Sequence, residues 1–120
     1  MSRRKILGNY GEKLVREELI KRGYKILESN FRTRHGEIDI ISKKGNTLVF
    51  TEVKTRTSFG FGTPMEAVNH RKQRKVRQIA VEYLSKKSSG GYGEYRFDAA
   101  AVLLTPQGQL KELEIYEGVF

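Results

Sequence analysis

The residues in this chain best able to do chemistry are four charged ones that stand in two pairs, Glu37 with Asp39 and Glu52 with Lys54. Side chains two apart on a β-strand project from the same face, so each pair shares a face if its segment is a strand. Pairing of the two strands would bring two or three carboxylates and one ammonium group onto a single patch of the sheet.

Such a patch favours a divalent cation. At about 4 Å and an effective dielectric constant near 20, two carboxylates repel each other by roughly 4 kcal/mol. Lys54 can offset part of this, but Mg²⁺ or Mn²⁺ does so better, because it binds carboxylate oxygens and keeps water for chemistry. A metal ion held there could activate water against a phosphodiester while Lys54 assists the attacking water. The alternative is a set of cross-strand ion pairs that face water.

The elements that must position these residues follow from periodicity and turn chemistry, and they predict one mixed α/β layer. The spacing predicts a helix over about 10–22 that ends at Gly23, and a second helix that begins with the T-P-M-E capping signal at Thr63 and reaches about Leu84. Strands are expected over residues 24–27, 36–43, 48–55, 96–104 and 109–116, with the second and third joined as a hairpin. The strand alternation places Ile38 and Ile40 together on the face opposite Asp39.

Helical projection adds two charged residues to this patch. Lys72 falls inside the apolar stripe of the second helix, where it either faces the sheet or extends past its neighbours to water. Glu12 lies at the edge of the first helix's stripe, so it either faces the sheet or pairs with Arg16 one turn later. By the same spacing, Glu18 is expected to pair with Arg22.

Composition limits the possible functions. With 23 Lys+Arg against 14 Asp+Glu in 120 residues, the chain has a formal charge of +9, which favours a polyanionic partner such as nucleic acid. No apolar run exceeds six residues, so we expect no transmembrane role, and the first residues predict no secretory signal. The absence of cysteine removes disulfides, thiolate zinc sites and cysteine nucleophiles. We therefore expect a single cytoplasmic domain.

Basic residues flank the acidic patch in sequence. Arg32 and Arg34 precede it, and five of the seven residues 71–77, which follow it, are basic. Arg74 and Arg77 are expected on the far side of the second helix, free to meet phosphate, although a solvated basic face is the alternative. Phe59 and Phe61 in the preceding loop could stack on bases or form a homodimer contact. The candidate nucleic-acid-binding residues are Arg32, Arg34, Arg56, Arg71, Arg74, Lys75 and Arg77.

Taken together, the motifs resemble a known family. They are G-N-Y-G-E, G-E-I-D, F-T-E-V-K-T-R, F-G-T-P-M-E-A-V, K-Q-R-K, A-V-E-Y-L and R-F-D. In this order they resemble the bacterial YraN family, which is placed in the PD-(D/E)XK superfamily with restriction endonucleases and archaeal Holliday junction resolvases. The resemblance implies an α/β, restriction endonuclease-like fold over residues 1–120, in which helices flank a mixed central sheet.

The resemblance also implies site roles. Asp39 would be the metal-binding aspartate, Glu52 the second metal ligand and Lys54 the lysine of the E-x-K element. Glu12 would match the helix acid that supports the metal in resolvase-like nucleases, and Lys72 a basic residue on the following helix. Before Asp39, the proline of the superfamily motif is replaced by Ile38. Asp98, near the start of the fourth predicted strand, is expected to make a structural contact.

From the residues and the resemblance, we expect an Mg²⁺-dependent, resolvase-like nuclease that acts on DNA. A homodimer is one expected form of it. The principal alternative is a non-catalytic DNA- or RNA-binding protein in which the acidic patch is an ion-pair cluster. A third hypothesis is a structural role with RNA, the ribosome or a protein partner.

Overall fold

In the part of the chain that the structure describes, the strands form one sheet between two helices. The computed structural model describes residues 2–57, 70–86 and 92–119. Its elements are α1 (Arg3–Lys21), β1 (Lys25–Thr33), β2 (Gly36–Lys44), β3 (Thr47–Arg56), α2 (His70–Lys86), β4 (Glu94–Leu104) and β5 (Leu110–Tyr116). Over these ranges, no helix is long and apolar enough to cross a membrane.

The sheet is mixed, and its strands lie in the order β1-β2-β3-β4-β5. Neighbouring strands are antiparallel except β3 and β4, which are parallel. A parallel pair needs a long crossover, and the segment that contains α2 provides it. The predicted α/β class and the hairpin of β2 and β3 are therefore confirmed.

Each helix covers one face of the sheet and buries its own apolar cluster. The α1 core joins Val15 and Leu19 to Ile40, Val49 and other strand residues. The α2 core joins four buried helix residues, which recur at the spacing of one apolar stripe, to the opposite face of the sheet: Val76, Ile79, Ala80 and Tyr83. The 3.6-residue stripe of α2 thus identified its buried face correctly.

Two elements extend at least five residues beyond the range that the sequence predicts. The N-terminal helix begins at Arg3, because the Ser2 hydroxyl accepts a hydrogen bond from the Lys5 backbone N–H and caps it. The first strand continues to Thr33, because its polar second half pairs with β2. The predicted stop at Gly23 is confirmed, since its φ of +92° suits glycine at a helix end. The predicted loop aromatics Phe59 and Phe61 and the capping residues Thr63, Pro64 and Glu66 lie outside the described residues.

Candidate metal centre

The candidate site lies where β2 and β3 stop pairing. Their ladder ends at the pair Ile40 and Thr51. One residue further, the Asp39 carboxylate accepts a hydrogen bond from the Val53 backbone N–H, with 2.7 Å between Oδ2 and N. This bond satisfies a backbone donor that the ladder no longer uses, and it fixes the Asp39 side chain at the opening between the strands.

The strand alternation is interrupted at this point, so the prediction that Ile38 and Ile40 share a face is wrong. Ile40 packs in the α1 core, whereas Ile38 and Ile41 pack in the α2 core. On the neighbouring strand, Asn30 stands between the residues paired with Ile40 and Ile38 and has a φ of +53°. Ile38 therefore lies on the face opposite to the one that alternation predicts. The rule does not anticipate this, because it assumes a regular strand.

Three carboxylates meet here, two from β2 and one from α1. Glu12, Glu37 and Asp39 each offer an oxygen within 4.8 Å of the others. Gly11 lets α1 approach β3 closely enough to bring in Glu12, since a Cβ at this glycine would overlap the Thr55 hydroxyl. Glu12 therefore faces the sheet, as its place at the edge of the helical stripe allowed. We refer to these residues as the three-acid group.

The three-acid group is electrostatically unfavourable when all its members are ionised. Asp39 is only 7% exposed. Burial and, next, the charge of Glu52 raise its pKa to about 8, although the Val53 N–H favours the ionised form. Burial also raises the pKa of Glu12, although a hydrogen bond with the Asn30 side chain opposes this. Protons or a cation must offset this repulsion, and a set of oxygen donors suits a hard divalent ion such as Mg²⁺. The residues present thus fit such an ion.

Glu52 stands beside this group but does not belong to it. Its Oε2 lies 3.1 Å from Lys72 Nζ, and only 12% of its side chain is exposed. Burial raises the pKa of Glu52, and the Lys72 ammonium opposes that rise. The regular alternation of β3 directs Glu52 toward α2, the opposite side from Glu12. Of the two alternatives that its position in the stripe of α2 left open, Lys72 therefore faces the sheet.

Two grooves meet at the three-acid group. The α2 groove, of about 540 Å³, is lined by residues that include Glu37, Asp39, Glu52, Lys72 and Lys75. The α1 groove, of about 460 Å³, is lined by residues that include Arg4, Gly8, Glu12, Lys54 and Arg56. Val53 lines both. The candidate site is therefore open on both sides of the sheet.

Lys54 lines the α1 groove and Glu52 lines the α2 groove, so the two residues that the alternation placed on one face line different grooves. Burial lowers its pKa, and the nearby charges of Lys72 and Arg56 lower it further, against the opposing effect of Glu52 and Asp39. An ammonium group with a lowered pKa among other cations is well placed to interact with an incoming anion.

The predicted phosphate-binding residues before β2 are partly engaged within the protein. Arg32 forms a salt bridge with Glu37, with 2.8 Å between Nε and Oε2. Arg34 is exposed. The hydrogen-bonded pair of His35 and Glu82, separated by 2.9 Å, ties this turn to α2. Sequence reasoning missed the pair, because nothing in the sequence links residues so far apart.

The basic residues of α2 behave differently from one another. Arg74 and Lys75 are exposed. Arg77 is exposed too, but its guanidinium lies 4.7 Å from the centroid of the Phe97 ring, so the prediction that it is free on the far side of the helix is wrong. Its long side chain reaches the ring at the edge of the α2 core, and a cation over an aromatic face is favourable. The side chain of Arg71 lies outside the described part of the chain.

Asp98 has a structural role, as expected for the carboxylate of the fourth strand. It is fully buried and accepts two hydrogen bonds of 2.9 Å from the Arg96 guanidinium. The Gly118 backbone N–H donates a further one, which ties the chain after β5 to β4. Separately, the expected pair of Glu18 and Arg22 is confirmed at 2.8 Å.

Comparison with known proteins identifies relatives that match almost the whole chain. A family model described as "Uncharacterised protein family UPF0102" matches residues 11–102. A UPF0102 protein of Alkaliphilus metalliredigens is 41% identical over 116 residues, covering 97% of this chain and 98% of that protein. A UPF0102 protein of Rhodococcus opacus is 44% identical over 109 residues, covering 89% of this chain and 92% of that protein. Among solved structures, the structure of Pyrococcus furiosus SfsA in complex with Ca²⁺ matches with a TM-score of 0.39 and 12% identity, covering 89% of this chain and 61% of that one.

Proposed function

The chain belongs to the uncharacterised protein family UPF0102, and we propose that it is a nuclease that hydrolyses phosphodiester bonds in DNA with the help of Mg²⁺ or Mn²⁺. The observation that carries this proposal is the three-acid group around the buried Asp39. Without a cation, the charges of Glu12 and Glu37 oppose the ionisation of Asp39, and the site lies between a groove that contains lysines and a groove that contains lysine and arginine.

The three-acid group, Glu12, Glu37 and Asp39, holds the metal ion in this proposal. When bound, Mg²⁺ supplies positive charge that stabilises the phosphate in the transition state and makes water more acidic. The Val53 N–H keeps Asp39 oriented toward the opening between the strands. Glu52, held by Lys72, contributes negative charge next to Asp39 and serves as a further ligand candidate.

The lysines position the reactants. Lys54 assists the water that attacks phosphorus and donates hydrogen bonds to the charge that develops on the phosphate. Lys72 holds Glu52 in a fixed orientation. Exposed cations on α2, Arg74 and Lys75, hold the nucleic acid backbone, so that binding weakens as salt rises.

The second candidate function is nucleic acid binding without catalysis. The salt bridge between Glu52 and Lys72 favours it, because it already neutralises one of the acids that catalysis would use. Both functions predict salt-sensitive binding, so only cleavage separates them.

A cleavage assay tests the proposal. The purified protein is incubated with Mg²⁺, Mn²⁺ or EDTA and with four-way junction, duplex and single-stranded DNA, and with RNA of the same sequence. We expect metal-dependent cutting of at least one DNA substrate and a loss of at least about 100-fold in Asp39→Asn, because a ligand matters more than its outer-shell partners. Glu17→Gln, which changes an exposed acid on the outer surface of α1, is the matched control.

The outcomes are distinct. A wild-type protein that cuts nothing with either metal, or an Asp39→Asn variant that cuts as fast as wild type, would overturn the nuclease proposal. Retained binding of DNA by a protein that never cuts would favour the second candidate. Preference for RNA with indifference to metal would favour an RNA-binding role.

A further inference from the structure

Among the residues that the structure describes, the cations that line the α1 groove outnumber the acids. The cations are Arg4, Lys54 and Arg56, and the acid is Glu12. Within residues 2–57, 70–86 and 92–119, none of these three cations forms a salt bridge. Arg4 and Arg56 are also exposed, so both are accessible to a ligand.

The neighbouring arginine provides a contrast. The Arg3 guanidinium donates a hydrogen bond of 2.6 Å to the Pro106 carbonyl, which anchors the start of α1 to the turn between β4 and β5. Arg4, one residue later, lines the α1 groove instead. Arg3 therefore anchors this end of the helix, whereas Arg4 lines the groove.

The helix itself adds to the positive field. The first turn of α1 contains no acidic residue and three basic ones, Arg3, Arg4 and Lys5. Cations at the positive end of a helix dipole are unfavourable, and an anion there is favourable. Gly8 leaves the helix surface in the groove open, since a Cβ there would meet nothing within 4 Å. A ligand with negative charge can therefore approach the helix closely.

The two grooves are continuous with the metal centre. Glu12 lines the α1 groove, whereas Glu37 and Asp39 line the α2 groove, and their carboxylate oxygens lie within 4.8 Å of one another. A strand whose phosphate lies at the three-acid group would therefore extend into the α1 groove in one direction and into the α2 groove in the other.

We propose that the α1 groove is a second phosphate subsite, in which Arg4 and Arg56 bind the backbone of the nucleic acid strand next to the phosphate held at the three-acid group. This inference rests on the proposed function for the identity of the ligand. Both contacts are made to phosphate, so the subsite fixes the position of the strand without reading its sequence.

The test measures binding without cutting. In an Asp39→Asn background with EDTA, the affinity for labelled single-stranded DNA, duplex DNA and RNA is followed by fluorescence anisotropy over a series of NaCl concentrations. We expect Arg4→Gln with Arg56→Gln to weaken duplex binding about 10-fold or more. The slope of log affinity against log salt should also become shallower by roughly 1.8, which corresponds to two lost phosphate contacts.

Matched variants show whether the effect belongs to the groove. Lys13→Gln with Lys25→Gln removes the same charge from exposed positions that do not line the groove, and it should leave the slope nearly unchanged. Arg4→Lys with Arg56→Lys should restore most of the affinity. Thermal unfolding checks that each variant is folded, and Arg4→Glu alone provides a second measurement if the double variant is not.

Failure of this inference differs from failure of the proposed function. An unchanged salt slope in the groove variant, or an equal loss in the Lys13 and Lys25 control, would overturn the phosphate subsite even if the wild-type protein cuts DNA. A shallower slope in the groove variant alone, from a protein that never cuts, would support the subsite and overturn the nuclease. Comparison of the DNA and RNA arms identifies which backbone the groove prefers.

Discussion

Replacement of Asp39 by asparagine should stabilise the metal-free protein at slightly alkaline pH, although it removes the central ligand of the proposed metal centre. The asparagine amide oxygen can still accept the hydrogen bond from the Val53 N–H. What the substitution removes is a buried negative charge beside Glu12, Glu37 and Glu52. A stabilising effect at a position so nearly buried would identify a site built for function at the expense of stability.

The direction of this change in stability follows from proton linkage. The pKa of Asp39 is raised from 3.8 to about 8 in the folded protein. Between these values the folded state binds more protons than the unfolded state, so the free energy of unfolding of the wild type falls as pH rises from about 4 to about 8. Below pH 4 the carboxyl is protonated in both states and the effect disappears. The asparagine variant lacks this dependence.

The expected gain in the free energy of unfolding is about several kcal/mol. One pKa unit corresponds to about 1.4 kcal/mol, so the rise at Asp39 corresponds to roughly 5 kcal/mol at pH 8. Because the neighbouring carboxylates also titrate and share protons in this range, we expect a visible gain of about 2–4 kcal/mol. For a domain of this size, that is an increase of roughly 10 °C in the melting temperature.

The assay is thermal or urea unfolding of wild type, Asp39→Asn and the control Glu17→Gln, each with EDTA at pH 5 and pH 8. The variant should exceed wild type mainly at pH 8, and the control should follow wild type at both values. Added Mg²⁺ should stabilise the wild type at pH 8 and leave Asp39→Asn almost unchanged, because the variant lacks the ligand. An Asp39→Asn protein that unfolds at the same or a lower temperature than wild type at pH 8 would refute the reasoning.

Three further substitutions test two contacts that position the site and one ion pair that stabilises the fold. Gly11→Ala should displace α1 from β3, destabilise the protein by about 1–3 kcal/mol and weaken Mg²⁺ binding in a calorimetric titration; unchanged metal affinity would mean that this glycine does not position its neighbouring glutamate. Lys72→Met should raise the pKa of Glu52 further, because the Lys72 charge opposes that rise, and reduce cutting at pH 6 more than at pH 8; a loss independent of pH would argue against the salt bridge as the cause. Arg96→Ala should cost roughly 3 kcal/mol because it leaves the carboxylate of Asp98 buried without its cation, measured by urea unfolding, while cutting well below the melting temperature stays intact; a loss of cutting in the folded variant would contradict the structural role of this pair.

The sequence predicts the helices and strands of this protein well where apolar periodicity and turn chemistry agree. The hairpin of β2 and β3 follows from two strand-forming segments around a glycine turn, and the buried face of α2 follows from its helical stripe. The same projection singled out Lys72 but left open whether it faces the sheet or reaches water, and the structure pairs it with Glu52. The long polar half of β1 was missed, because pairing with β2, and not its own composition, makes it a strand.

The composition of the site was harder to predict, and the reason is physical. Spacing and strand pairing placed the carboxylates and the Lys54 ammonium on a single patch of the sheet, but a strict period of two assumes an uninterrupted ladder. The structure breaks the ladder at Asp39, and that break turns Asp39 toward the acid of α1 while Glu52 stays directed to α2.

This break also gives the site its particular character. An intact ladder would satisfy the Val53 N–H through the backbone and leave the Asp39 side chain free to reach water. Instead, the carboxylate takes the place of a backbone acceptor, which fixes it in a buried position beside other acids, where its pKa rises to about 8. The same local irregularity that defeats the alternation rule therefore creates the unfavourable charge that a divalent cation would relieve. For this reason, the stability of Asp39→Asn and the Mg²⁺ dependence of wild type probe one physical cause from two directions.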